Sequence, residues 1–196
     1  MANHVDNFIT VIGNEAATAE FESIFSSIFS EDKGLRDAEF LPRDEDGQVD
    51  MNSIGAKWAY VEDGSEDYAS VTSAWSAVLP FIEHLGDHLM DFDSDVKVTC
   101  KFADEGYGFV GAAVYHDSFL ASDEEYYEDL IESRLAYLAS NDEEVLKDSE
   151  DEEYEPWDDD GWYDWIDVRQ ELIMTDLLES CDSGDDLVEP CDNVAQ

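Results

Sequence analysis

The sequence predicts an α+β sandwich, and three observations predict it. Residues around 5–12, 55–75 and 95–117 alternate apolar and polar types, the period of half-buried strands. Residues 14–29 and 76–90 instead repeat apolar types every three or four positions, the period of an amphipathic helix. The resulting order is β-α-β-β-α-β-β. Two helices on one face of an antiparallel sheet then give a ferredoxin-like arrangement, βαββαβ(β).

The elements follow in order. Val5 to Ile12, in VDNFITVIG, read as a strand ended by Gly13, and Asn14 sits where a helix N-cap belongs. EAATAEFESIFSSIFS places Phe21, Ile24, Phe25, Ile28 and Phe29 on one helical face. A polar loop, EDKGLRDAEFLPRDEDGQVDMNS, leads to two strands, GAKWAYVED and YASVTSAW, joined by the turn DGSED. SAVLPFIEHLGDHLM is the second helix, with Pro80 in the first turn, where a missing N–H costs least. DVKVTCKFAD and YGFVGAAVYHD form a hairpin across ADEGYG, with one apolar face.

From Ser122 the character changes. SDEEYYEDLIESRLAYLASNDEEVLKD reads as a helix capped by Ser122, with Glu125 completing a capping box. Its apolar stripe holds Tyr127, Leu130, Ile131, Leu135 and Leu138, with Arg134 among them. A last helix is expected between Gly161 and Cys181, where Trp162, Trp165, Ile166, Arg169, Leu172, Ile173 and Leu177 recur at helical spacing. Residues 1–119 thus read as an α+β domain and 120–196 as an acidic helical extension.

Charge is the anomaly. The chain carries 52 Asp and Glu against 9 Lys and Arg, a formal net charge of −43. Such self-repulsion works against the compact state, so something other than folding favours it. Three explanations compete: a salt-rich cytosol, imitation of a polyanion, and multivalent-cation sites. The absence of any basic patch disfavours direct binding to nucleic acid or to anionic membranes. No run of about 18 apolar residues exists to span a bilayer. MANHVDNFITVIGN lacks the positive n-region of a signal peptide, and three cysteines make an odd number. A cytoplasmic protein with reduced thiols is expected; a clip between Cys181 and Cys191 has no support from spacing alone.

Motifs for chemistry are weak. His84 and His88 stand i, i+4 on the second helix, a Zn²⁺-compatible spacing without a second His or Cys cluster. Asp91, Asp93 and Asp95 start like an EF-hand loop, but Val96 occupies the obligatory glycine position and Phe102 the final glutamate. Cys100 lies mid-strand, and GYGFVG sits at a strand turn rather than before a helix. We therefore expect no enzyme, no cofactor and no dedicated metal site.

The densest stretch is DSEDEEYEPWDDDGWYDWID, residues 148–167, with eleven acids and five Trp or Tyr. A solvated tail has no need of rings, so the aromatics read as pins that hold carboxylates in an ordered array. On a helix rising about 1.5 Å per residue, acids at over half of the positions approach the one charge per roughly 1.7 Å of duplex DNA. The candidate phosphate surrogates are Glu152, Glu153, Glu155, Asp158, Asp159, Asp160, Asp164 and Asp167. A second row runs along Asp123, Glu124, Glu125, Glu128, Asp129 and Glu132, with Trp157 and Trp162 as anchors. The competing reading is a salt-adapted binding domain whose acids only solvate it. Its ten Phe, nine Tyr and five Trp argue against that, because salt-adapted chains avoid large apolar residues.

GAKWAYVED with Lys57–Trp58, SAWSAVLPFIEHLGD with Trp75–Ser76, and DEGYGFVGAAVYHD with Gly106 to Gly108 resemble the YubB-type ferredoxin-like domains of plasmids and tailed phages. The resemblance covers residues 1 to about 119. Ala77 departs from the family's proline and His4–Val5 from its usual start. It implies a ferredoxin-like fold and a mobile-element origin, and supplies no catalytic residues. The functional expectation is a phage- or plasmid-encoded nucleic-acid mimic, a non-enzymatic inhibitor that blocks the basic cleft of a host DNA- or RNA-acting defence protein. A homodimer is compatible with it.

Overall fold

The computed structural model describes residues 3–30, 34–106, 108–140 and 161–183. These form an α+β structure, compatible with the ferredoxin-like class. Six antiparallel strands, β1 (His4–Ile12), β2 (Ala59–Gly64), β3 (Tyr68–Ala74), β4 (Lys97–Asp104), β5 (Phe109–His116) and β6 (Phe119–Tyr126), lie in the order β2-β3-β1-β4-β5-β6. The helices are α1 (Glu15–Ser30), α2 (Leu79–Leu89), α3 (Tyr127–Ser140) and α4 (Trp162–Ser183).

Alternation in β1 buries Val5, Asn7, Ile9 and Val11 on one side. Asn7 is the polar member of that set and is saturated with hydrogen bonds. Its Nδ2 donates to the Val5 and Val71 carbonyls and to Ser73 Oγ, and its Oδ1 accepts from Val78 N. One side chain thereby ties β1 to β3 and to the start of α2. Asn14 caps α1 as its position predicts, its Oδ1 accepting from Ala16 N and Ala17 N. The aspartate run after α2 is a structural turn: Asp93 Oδ2 accepts from Asn14 N at 2.6 Å, latching that turn to the cap.

Helix α1 buries Phe21, Phe25 and Ile28, whereas Phe29 is more than half exposed and leaves the expected face. Helix α2 buries Phe81, Ile82, Leu85 and Leu89. Gly86 lets the Tyr115 ring reach the helix backbone, since an added Cβ would lie 2.1 Å from that ring. The Tyr115 hydroxyl donates to Asp87 at 2.5 Å. With Val98, Cys100, Phe102 and Ala113, these residues make the large core on this face of the sheet.

The structure corrects one expectation outright. Ser122 to Tyr126 are strand, not helix, with Ser122 opposite Ala113 and Glu125 opposite Val110, so no capping box forms. Asp117 and Ser118 both take positive φ (53° and 63°), the two-residue turn whose twist suits a hairpin, and His116 pairs with Phe119 across it. The turn carries residues beyond 119 back into the sheet, and α3 begins only at Tyr127. Its stripe survives that shift, with Leu130, Arg134 and Leu138 buried.

Candidate functional site

Strand β5 reads VGAAVY without a polar interruption, and Val110 to Tyr115 are all buried. Such a run marks a strand covered on both faces. Ala113 and Tyr115 face the core built on α1 and α2, while Val110, Ala112 and Val114 face α4. Spaced three and four apart, Trp162, Trp165 and Ile166 pack on Val110 and Leu130; two turns after Ile166, Ile173 and Met174 pack on Ala112 and Val114. Both indole N–H groups are buried with no hydrogen-bond partner among the described residues, so these rings dock as apolar bodies.

Polar contacts complete the attachment. Lys101 Nζ meets Glu171 and Lys97 Nζ meets Asp182, each at 2.5 Å. The Lys97 bond holds the Asp182 carboxyl below its ordinary pKa. Arg169 makes a two-pronged pair with Glu125 on β6, its Nε 2.9 Å from Oε2, and that hydrogen bonding raises the guanidinium's pKa. Gln170 Nε2 donates to the Phe102 carbonyl at 2.8 Å. The Trp165 ring lies 5.7 Å from both the Arg134 and Arg169 guanidiniums. Four of the seven Lys and Arg residues described thus touch α3 or α4.

Asp164 and Asp167 are exposed on α4, and Glu128, Asp129 and Glu132 are exposed on α3. Trp162 is fully buried, which makes it a pin for α4 and not an exposed anchor. Asp123, Glu124 and Glu125 do not continue the α3 row. They are consecutive on β6, where the two-residue period sends neighbours to opposite faces, and Glu125 is engaged by Arg169 while Glu124 accepts from the Tyr126 hydroxyl. Glu152, Glu153, Glu155, Trp157, Asp158, Asp159 and Asp160 lie outside the described residues. Along α4, six acids spread over 22 residues. That is one per about 5.5 Å, against roughly 1.7 Å for duplex and 3.4 Å for one strand.

Sequence reasoning missed a second surface. Helix α4 lies over β4, β5 and β6, and among the described residues none covers the β2-β3-β1 part of the same face. Phe8 is 40% exposed there and stacks on Tyr68, with centroids 5.3 Å apart and planes 21° apart. Asp6, Phe8, Glu62, Lys101, Asp167 and Gln170 line a groove between this bare face and α4. Alternation in DNFIT, with Asp6, Phe8 and Thr10 opposite Asn7 and Ile9, was the available signal.

Other candidates serve packing. His88 Nε2 lies 2.9 Å from Glu20 and its ring stacks on Phe40 at 5.1 Å, bridging α1 and α2. Among the described residues, no group of three or more metal-binding side chains converges. Cys100 is fully buried, and that burial pushes its thiol pKa up, away from the reactive thiolate. No helix is long and apolar enough to cross a membrane among the described residues. No protein-family model, curated protein or solved structure matches this chain.

Proposed function

We propose that this protein is a non-enzymatic nucleic-acid mimic that occupies the basic cleft of a DNA- or RNA-acting protein. The observation that carries the reading is the mounting of α4. Asp164, Asp167, Asp176 and Glu179 stand exposed on a helix whose opposite side is pinned by Trp162, Trp165, Ile173 and Met174. A carboxylate array held this way loses little entropy on binding, unlike a floppy polyanion. The body beneath it reads as ferredoxin-like, supported by the order β2-β3-β1-β4 with α1 and α2 sharing one core. A mobile-element origin would make a host restriction, nuclease or toxin-type factor the partner.

A salt-adapted binding domain is the second reading, favoured by the exposed acids Glu15, Glu22, Glu83 and Asp91 on the side away from α4. Salt separates the two. Immobilised full-length protein should capture basic nucleic-acid-binding proteins at low salt, and both salt and duplex DNA should release them. Failure to capture any, together with unfolding at low salt that KCl reverses, would establish the salt-adapted reading instead.

A further inference from the structure

We infer that the outer edge of β2 is a docking surface for a partner protein's segment in which carboxylates alternate with apolar side chains. Arg36, Met51, Lys57, Trp58 and Tyr60 line a hollow there. Among the described residues no Asp or Glu lines it, in a chain that carries 52 of them. Met51 and Tyr60 are exposed, and so is Trp75 at 52%, with the Lys57 ammonium 4.9 Å from its ring centroid. Aromatic residues, Met and Arg are the types enriched at protein interfaces, where acids are depleted. Trp75 also stands at φ 67°, an outlier for a bulky residue, and such strain persists only where the surroundings enforce it. They do so here: Trp75 N donates to the Asn3 carbonyl at 2.9 Å, and Ala74 N to the Trp58 carbonyl at 3.0 Å. His4 and Tyr60 brace the Trp58 ring, with centroids 5.3 and 5.7 Å away. A surface preset in this way loses little entropy on binding.

Charge selects the occupant. Among the described residues, Arg36 and Lys57 have no carboxylate within ion-pair distance, whereas Lys97, Lys101 and Arg169 are each matched by one. Two unmatched cations beside exposed apolar surface complement a segment that brings a few carboxylates and a few apolar groups. A nucleic-acid strand brings a phosphate with every nucleotide. Two cations answer two of those, and the exposed Asp37, Asp50 and Glu62, close in sequence to Arg36, Met51 and Tyr60, repel the rest. A second copy of this chain brings its whole net charge of −43 with its carboxylates. A small molecule is excluded by size, because the hollow measures about 30 Å³ against roughly 300 Å³ or more for a ligand pocket. The surface is separate from α4, does not depend on the mimic reading, and gives the protein a second partner of opposite polarity.

The test titrates full-length protein with two end-capped heptapeptides, Gly-Leu-Asp-Phe-Asp-Leu-Gly and its uncharged counterpart Gly-Leu-Asn-Phe-Asn-Leu-Gly, at physiological salt. Diffuse electrostatics on so acidic a chain ranks the Asp peptide last, so a preference for it reports the patch. The Asp peptide should bind about threefold more tightly by calorimetry and shift the amides of Arg36, Lys57, Tyr60 and Trp75. Arg36→Gln should abolish that preference. Trp75→Gly should weaken the Asp peptide about tenfold, against less than about twofold for Leu172→Ser, a comparably exposed site elsewhere. Glycine adopts φ 67° without strain, so the denaturant midpoint of Trp75→Gly should hold, which separates lost binding from lost folding. Equal binding of the two peptides, a tighter Asn peptide, or equal losses from Trp75→Gly and Leu172→Ser would overturn the docking surface. Dimerisation that Arg36→Gln abolishes would overturn it in favour of a second copy. Oligothymidylate binding that Trp75→Gly abolishes, with neither peptide bound, would assign the patch to nucleic acid instead.

Discussion

The two faces of the sheet are covered by different means. Under α1 and α2, one large core holds Phe21, Phe25, Phe81, Phe102 and Tyr115, and among the described residues no Lys or Arg belongs to it. Under α4, two small apolar clusters carry the helix, and Lys97, Lys101, Arg169 and Gln170 fasten its sides. In a chain with 9 basic residues, placing so many there is informative. An acidic helix laid on an acidic body needs local cations to offset the repulsion that general burial of apolar area offsets on the other face. The first face should therefore respond chiefly to cavities, the second to cavities and to charge.

The largest test of that contrast is a pair of truncations. Phe81→Ala and Trp162→Ala each remove a fully buried ring, and each should cost about 3–5 kcal/mol. The outcomes should differ in kind. Phe81→Ala should lower the midpoint of global unfolding by denaturant, whereas Trp162→Ala should raise hydrogen exchange in α4 before the β1 amides respond. Loss of protection in both regions together would show that the two faces form one cooperative unit.

Next in size is Asn7→Leu. It strips partners from Val78 N, Val71 O and Ser73 Oγ inside the core, and should cost about 2–4 kcal/mol by denaturant unfolding. A near-neutral result would mean that repacking satisfies those groups.

Arg169→Gln is smaller, about 1 kcal/mol, because the pair with Glu125 is partly exposed. Its effect should appear as faster exchange in α4 and shrink as salt rises from 0.1 to 1 M. The same salt increase should stabilise the α1 and α2 face, where only general repulsion is being screened.

The smallest effect is confined to alkaline pH. Burial first, then the bond to Asp87, raises the Tyr115 pKa above its ordinary 10.0. The unfolded chain therefore loses this proton at lower pH than the folded one. The stabilisation is complete below pH 10.0 and falls as pH rises beyond it. Tyr115→Phe should flatten that alkaline slope, measured by urea midpoints between neutral and high pH.

Much of the fold was legible locally. Asn14 announced the start of α1, Pro80 the first turn of α2, and the alternation of VDNFITVIG the strand β1. The helical spacing of Trp162, Trp165 and Ile166 gave α4 its inner face. The start of α3 was misread because SDEE satisfies a capping box in isolation. The backbone of those residues pairs instead with β5, a contact that a local pattern does not contain. Leu172 was assigned to the inner stripe of α4 and is 46% exposed, whereas Met174, outside that stripe, is buried with Ala112 and Val114.

The candidate site divides in the same way. Its acidity, the position of its aromatics and the exposure of Asp164 and Asp167 follow from composition and helical period. By itself the sequence determined that an acidic helix carries an apolar face needing cover, because periodicity is a property of neighbouring residues. Only the tertiary structure decided what supplies that cover and how far it reaches. Docking on β5, with Lys97 and Lys101 drawn to Asp182 and Glu171, leaves the β1 side of the sheet uncovered among the described residues and sets Asp6, Phe8 and Asp167 around one groove. Residues so far apart in sequence meet only once long-range packing and charge pairing have fixed where the helix lies.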